Sequence, residues 1–129
     1  MSNKSLLTQK PWLLAAALLA ACANPAAIDP IEGRTFIVEE RTRQEVWDAA
    51  VAALAEQGRV ESSEFDQGEL RGYAGSGVTY SAVLVSMRQL YPGEDTYTVS
   101  VATDAMAPLA DAEPARDALI EAMRTNLKL

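Results

Sequence analysis

Between Val78 and Ala102 the chain spells out two strands that require a sheet with a covered face. Thr96 to Ala102 alternates without a break, with Tyr97, Val99 and Val101 on one side and Thr96, Thr98 and Ser100 on the other. A period of two puts one side against a core and turns the other to water. The preceding run, Val78 to Leu90, differs. Tyr80, Ala82 and Leu84 share one side and Val83, Val85 and Met87 the other, so Ala82–Val85 is apolar on both. A strand of that kind is covered on both faces, which predicts a place near the centre of the sheet. Tyr91-Pro92-Gly93-Glu94-Asp95 joins the two runs and reads as a hairpin connection.

The rest of the chain supplies partners for this pair. Thr35 to Glu39 is a short β-branched and aromatic strand, and Arg59–Phe65 and Leu70–Ala74 are two more. Asp66-Gln67-Gly68 turns one into the other, with glycine where positive φ is needed. Thr42 and Glu45 stand three apart as a capping box, and Val46, Trp47, Ala50, Val51 and Leu54 follow at helical spacing. The spacing predicts a helix over 43–57, with Gly58 ending it in the left-handed conformation. Met106 to Ala110 is a connector interrupted by Pro108. Asp111 is the expected cap of a second helix, with Glu113 and Pro114 in its first turn and Ala115, Leu119, Ile120, Met123 and Leu127 as its stripe. The order β-α-β-β-β-β-α gives an α+β domain over 35–129. It predicts an antiparallel sheet of four to five strands with two helices on one face and a solvated face opposite.

The chain ahead of this domain is of another kind. Lys4 and Lys10 precede an unbroken apolar run from Trp12 to Ala21, which ends in Leu19-Ala20-Ala21 and the sole cysteine, Cys22. Ten helical residues extend about 15 Å, half the roughly 30 Å of a bilayer core, so the run has the length of a secretory h-region. Ala20 and Ala21 are small enough to admit a peptidase to the backbone. The arrangement resembles the signal peptide and lipobox of bacterial lipoproteins. That resemblance implies removal of residues 1–21 and conversion of Cys22 into a triacylated first residue. Each buried CH₂ contributes about 0.8 kcal/mol, and two chains already anchor stably. In enteric lipoproteins Asp after the cysteine retains the protein at the inner membrane. Ala23 stands there instead, which implies the inner leaflet of the outer membrane, facing the periplasm. Three other readings stay open: ordinary cleavage after Ala21, an uncleaved amphipathic anchor, and a core cysteine in an N-terminal helix.

Residues 22–34, with Pro25 and Pro30, read as a linker with a mean reach of about 20 Å. The alternative is a tail that packs on the domain through Ile28 and Ile31. From Phe36 onward the element order is similar to the helix-grip-like domains of small periplasmic lipoproteins, including the BamC-type accessory lipoproteins of outer-membrane assembly. The shared cues are a capped helix with a Val-Trp pair, a glycine stop, an Asp-x-Gly hairpin and a closing helix. They are pattern-level, and no functional residue is carried across.

Charge and residue inventory narrow the chemistry. Lys4 and Lys10 would go with the leader, leaving nine basic residues against eighteen acidic ones. So acidic a domain is a poor partner for nucleic acid, whose phosphates need Lys and Arg, and anionic lipid repels it weakly. There is no histidine, the commonest general base and metal ligand. Ser76 lacks the Gly-x-Ser-x-Gly context of a nucleophile elbow because residue 78 is Val. Glu61, Glu64, Asp66 and Glu69 flank one hairpin and offer a Ca²⁺ site or an acid–base pair, but alternating acids are the ordinary solvated face of a hairpin. Gly75-Ser76-Gly77 offers amides to an anion, without the lysine or helix of a P-loop. Trp47 belongs to the core stripe, and Tyr91 stands at a loop tip.

The expectation is a domain without catalytic residues, metal or cofactor, tied to the membrane at Cys22 and binding or supporting another envelope component, by strand addition at a sheet edge for example. The alternative is a binder of a small hydrophobic ligand or lipid in a cavity between sheet and helices. The volume of that space discriminates the two. A carboxylate-based hydrolase would need two acids converging in a cleft.

Overall fold

The computed structural model describes Ile28 and residues 33–76, 80–106 and 111–129. Residues 1–27, 29–32, 77–79 and 107–110, with Cys22, Ile31 and Pro108 among them, lie outside the described residues, and the expected linker gives way to β1 already at Arg34. The elements are β1 (Arg34–Glu39), α1 (Arg43–Gln57), β2 (Gly58–Glu64), β3 (Glu69–Ala74), β4 (Ser81–Gln89), β5 (Thr96–Ala105) and α2 (Glu113–Asn126). The fold is α+β. Five strands pair antiparallel in the order β1-β5-β4-β3-β2, so β2 to β5 form a meander and β1 returns to the outside of β5. β4 is the middle strand, as its two apolar faces require.

Both helices pack on one face. The row Leu70–Val85–Val101 crosses β3, β4 and β5 in register and meets Leu54 of α1 and Leu119 and Met123 of α2, all with 2% exposure or less. Trp47 meets Phe65 edge-on at 5.5 Å between centroids. Arg43 lies 4.9 Å over the same ring and donates to the carbonyls of Phe65 at 2.5 Å and Asp66 at 3.2 Å. The first turn of α1 is thereby fastened to the tip of the β2–β3 hairpin. At the other end of the helix pair, Arg41 donates to Leu127 O at 2.9 Å and Asn126 to Ala49 O at 3.3 Å.

The capping box of α1 is complete. Thr42 Oγ1 accepts from Glu45 N–H and Thr42 N–H donates to Glu45 Oε1, both at 3.1 Å. The Thr42 backbone N–H foremost, and then the Thr42 hydroxyl, hold the Glu45 carboxyl below its ordinary pKa by hydrogen-bonding to it, and Arg41 adds attraction.

Three expectations need correction. Gly58 is not left-handed: at φ −179° it is extended and already the first residue of β2. The helix ends there because Gly58 pairs at once with Ala74, so closely that a Cβ would fall on the Tyr73 carbonyl. Glycine is required by close approach rather than by handedness. Asp111 is not the cap of α2. That position is Ala112, and Asp111 Oδ1 accepts from Glu113 N–H at 2.9 Å from one residue further out. β5 does not stop at Ala102 but runs ten residues, to Ala105. Beyond Ala102 it is carried by β4 alone, with Thr103 opposite Val83, Asp104 opposite Ala82 and Ala105 opposite Ser81.

The second sheet face departs from the solvated surface that the alternation predicts. Thr98 and Ser100 are half-exposed, but Ala82 and Leu84 have no exposure, and Ala102 has 2%.

Candidate functional site

The carboxylates of the β2–β3 hairpin do not converge. Glu61 pairs with Arg59 at 2.5 Å and Glu69 with Arg71 at 3.1 Å. Among the described residues no three carboxylate, histidine or cysteine side chains gather closely enough to hold a metal ion. Gly75 has φ +95° and donates to Gln57 O at 3.1 Å, so its amide is committed to the turn rather than to an anion. Ser76 borders a shallow depression of about 300 Å³ with Glu56, Gln57 and Pro114. Tyr91 is exposed, as a loop tip predicts, and Trp47 is core.

The interior between sheet and helices is filled by Trp47, Leu54, Leu119 and Met123. Open space among the described residues lies at the margins. One groove of about 560 Å³ sits where the start of α1 meets the C-terminus, between Arg41, Glu45, Asp48, Leu127 and Lys128. Its walls are tied together by the Arg41 and Asn126 bonds to the facing backbones.

The second groove, about 550 Å³, runs between the outer edge of β1 and α2. Its construction follows from two periods. On β1 every second residue faces the helices, which puts Arg34 at one end, Phe36 in the middle and Val38 in the core. On α2 the positions 117, 120, 121 and 124 lie on one stripe and face that edge. Half-buried Phe36 and Ile120 give the groove an apolar floor. Arg34 donates to Asp117 Oδ1 across one end at 3.0 Å, and Arg116 braces the same carboxylate at 3.3 Å. Glu121 and Arg124 stand on the rim, and Leu129 closes the far end.

β1 is an edge strand, so along one side its backbone amides and carbonyls are not used by the sheet. It pairs with β5 through six consecutive residues without a register shift. The groove therefore offers a straight ladder of backbone partners beside an apolar trough with a mixed-charge rim. Those are the parts that binding by strand addition uses: main-chain bonds for affinity and a trough for alternate side chains.

Ile120 was legible in the sequence as part of the α2 stripe. Arg34, Asp117, Glu121 and Arg124 were not, because nothing local says that β1 is an edge or that α2 lies alongside it. Among the described residues no helix is long and apolar enough to cross a membrane. A comparison of the chain with protein-family models found no match, and neither did one with curated proteins.

Proposed function

We propose that this protein is a lipid-anchored, non-enzymatic domain on the periplasmic side of the outer membrane, and that it holds another envelope protein by taking an extended segment of it along β1. The observation that carries this reading is the regular edge of β1, with which no strand among the described residues pairs on its outer side, beside the Phe36–Ile120 groove. A segment added there satisfies the edge amides and carbonyls, and its alternate side chains enter the trough. The occupant that fits has small or medium apolar residues at every second position. The rim sets Arg34 and Arg124 beside Asp117 and Glu121, so a strongly charged segment of either sign meets like charge.

The filled interior supports this reading over a small apolar ligand held between sheet and helices. The anchor is the Cys22 lipid, as the lipobox resemblance implies, and the acidic domain needs it because its own charge does not favour anionic lipid.

Site-specific photocrosslinking of the lipidated protein in its own envelope tests the proposal. A photoreactive residue in place of Thr35 or Ile120 is expected to capture one protein that the same residue at Glu61 on β2 does not. Equal capture at both edges, or none at β1 together with a co-purifying small molecule, overturns it. The anchor is tested separately: Cys22→Ser leaves an uncleaved, unacylated precursor, and normal maturation of that variant would remove the lipobox assignment.

A further inference from the structure

The outer edge of β1 is complementary to itself. Its middle, Thr35-Phe36-Ile37-Val38, is uncharged, with Arg34 before it and Glu39 and Glu40 after it, all three exposed. Set antiparallel against a copy of itself across a two-fold axis, such a strand brings its basic end to the other's acidic end twice. Arg34 spends one guanidinium nitrogen on Asp117 and stays exposed, so donors remain for an acid of the second copy.

Side-chain direction and charge fix the register. Opposite residues of an antiparallel pair point to the same face, so the axis passes through a residue and not between two. Centred on Ile37, Thr35 faces Glu39 and Phe36 faces Val38 of the other copy, and Arg34 comes opposite Glu40, which leaves the strand at φ +57°. Centred on Phe36, Arg34 meets Val38 and both acids go unmatched. The Ile37 register also sets that side chain, 54% exposed, beside its own symmetry mate.

The helices leave room, and the opposite edge supplies the stop. α2 packs over β5 and β3, one strand in from the edge. The groove of about 550 Å³ therefore stands open beside β1, where the grooves of two copies meet. β2 has a register shift between Val60 and Ser62 and carries Arg59, Glu61 and Glu64, so a sheet extended at β1 is not extended again at β2.

We infer that this protein forms a reversible two-fold dimer through β1, centred on Ile37, which joins two five-stranded sheets into one. So short a ladder is small beside the roughly 1,600 Å² of a standard stable interface, so the copies exchange. The edge takes one occupant at a time, and the second copy holds it until the partner segment displaces it. That displacement rests on the function proposed above; the pairing does not.

Ile37→Cys in the full-length protein, oxidised in its own envelope with the native chain as background, tests the pairing. Opposite Cα atoms stand about 4.5–5.5 Å apart, within reach of a disulfide, so a linked dimer is expected. Thr35→Cys, about 14 Å from its own mate in this register, and Glu61→Cys on β2 should give none. No linked dimer at Ile37, or equal amounts at all three positions, overturns the inference. In the Ile37→Cys chain, adding Arg34→Glu is expected to cut the yield about tenfold, because the contact occurs twice in each dimer. Adding Glu40→Arg as well should restore it, and a yield indifferent to both changes also overturns the inference. Capture of another protein by a photoreactive residue at Thr35 is read separately. With no Ile37 disulfide, such capture keeps the proposed function and removes the dimer; a disulfide without capture keeps the dimer and removes the partner.

Discussion

The two edges of the sheet are built to opposite rules. β2 is broken by a register shift between Val60 and Ser62, carries Arg59, Glu61 and Glu64 toward solvent, and begins at a glycine pressed onto its neighbour. Bulges and charges are how sheets discourage unwanted pairing. β1 has neither device along its middle. Thr35-Phe36-Ile37-Val38 is uncharged and β-rich, pairs without interruption, and leaves Ile37 54% exposed. An unguarded edge is an aggregation liability unless something uses it. The contrast teaches where the proposed partner is to be sought: at the open edge and not at the guarded one.

That division can be broken by experiments of decreasing size. The largest effect is expected from Leu119→Ala, which empties the fully buried position beneath α2 and costs about 3 kcal/mol. Urea denaturation reads the loss, and capture at β1 should fall with it because α2 is the groove wall. Gly58→Val attacks the other edge. Its side chain meets the Tyr73 carbonyl and Ala74, at a cost of about 2 kcal/mol. Capture at β1 by the folded fraction should survive; its disappearance would show that the edges are not independent.

Thr42→Ala is smaller still, about 1 kcal/mol for a lost helix cap. The cap also sets a pH limb. Glu45 has a lowered pKa in the folded state, so its contribution is complete above the ordinary glutamate value of about 4.3. It is lost as pH falls through the lowered folded value. Urea midpoints from neutral to acid pH are expected to fall more steeply for the native protein than for Glu45→Gln. The smallest stability effect is expected from Arg34→Ala. Its pair with Asp117 is more than half exposed and contributes no more than a few tenths of a kcal/mol, less in high salt. The same substitution opens one end of the groove, so crosslinking at Ile120 should change its partner peptide pattern while the urea midpoint barely moves. A large midpoint shift would make Arg34 structural and weaken the case for β1 as the binding edge.

Much of the fold was legible because its signals are local. Thr42 and Glu45 fix the start of α1 through bonds within one turn, and the helix spans the predicted 43–57. Gly68 takes φ +66° in the turn assigned to it. Ala82–Val85, apolar on both faces, placed β4 in the middle. Gly58 shows the limit of such reading. Glycine after a helix suggests a left-handed stop, yet the extended conformation follows from a strand neighbour sixteen residues away. Alternation on β5 likewise predicted a wet second face, and the burial of Leu84 and Ala102 contradicts that for its centre.

Sequence periodicity by itself determined the α+β class, the seven elements and the core-facing side of both helices and of β5, because those depend on which side chains avoid water within a few residues. Only the tertiary structure decided that β1 returns to β5 and is left as an edge, that Arg34 meets Asp117 across 83 positions, and that the interior closes while a groove opens at its margin. Those outcomes depend on which distant surfaces pack together, and the pairing of edges is selected by the fit of the whole core rather than by any stretch of the chain.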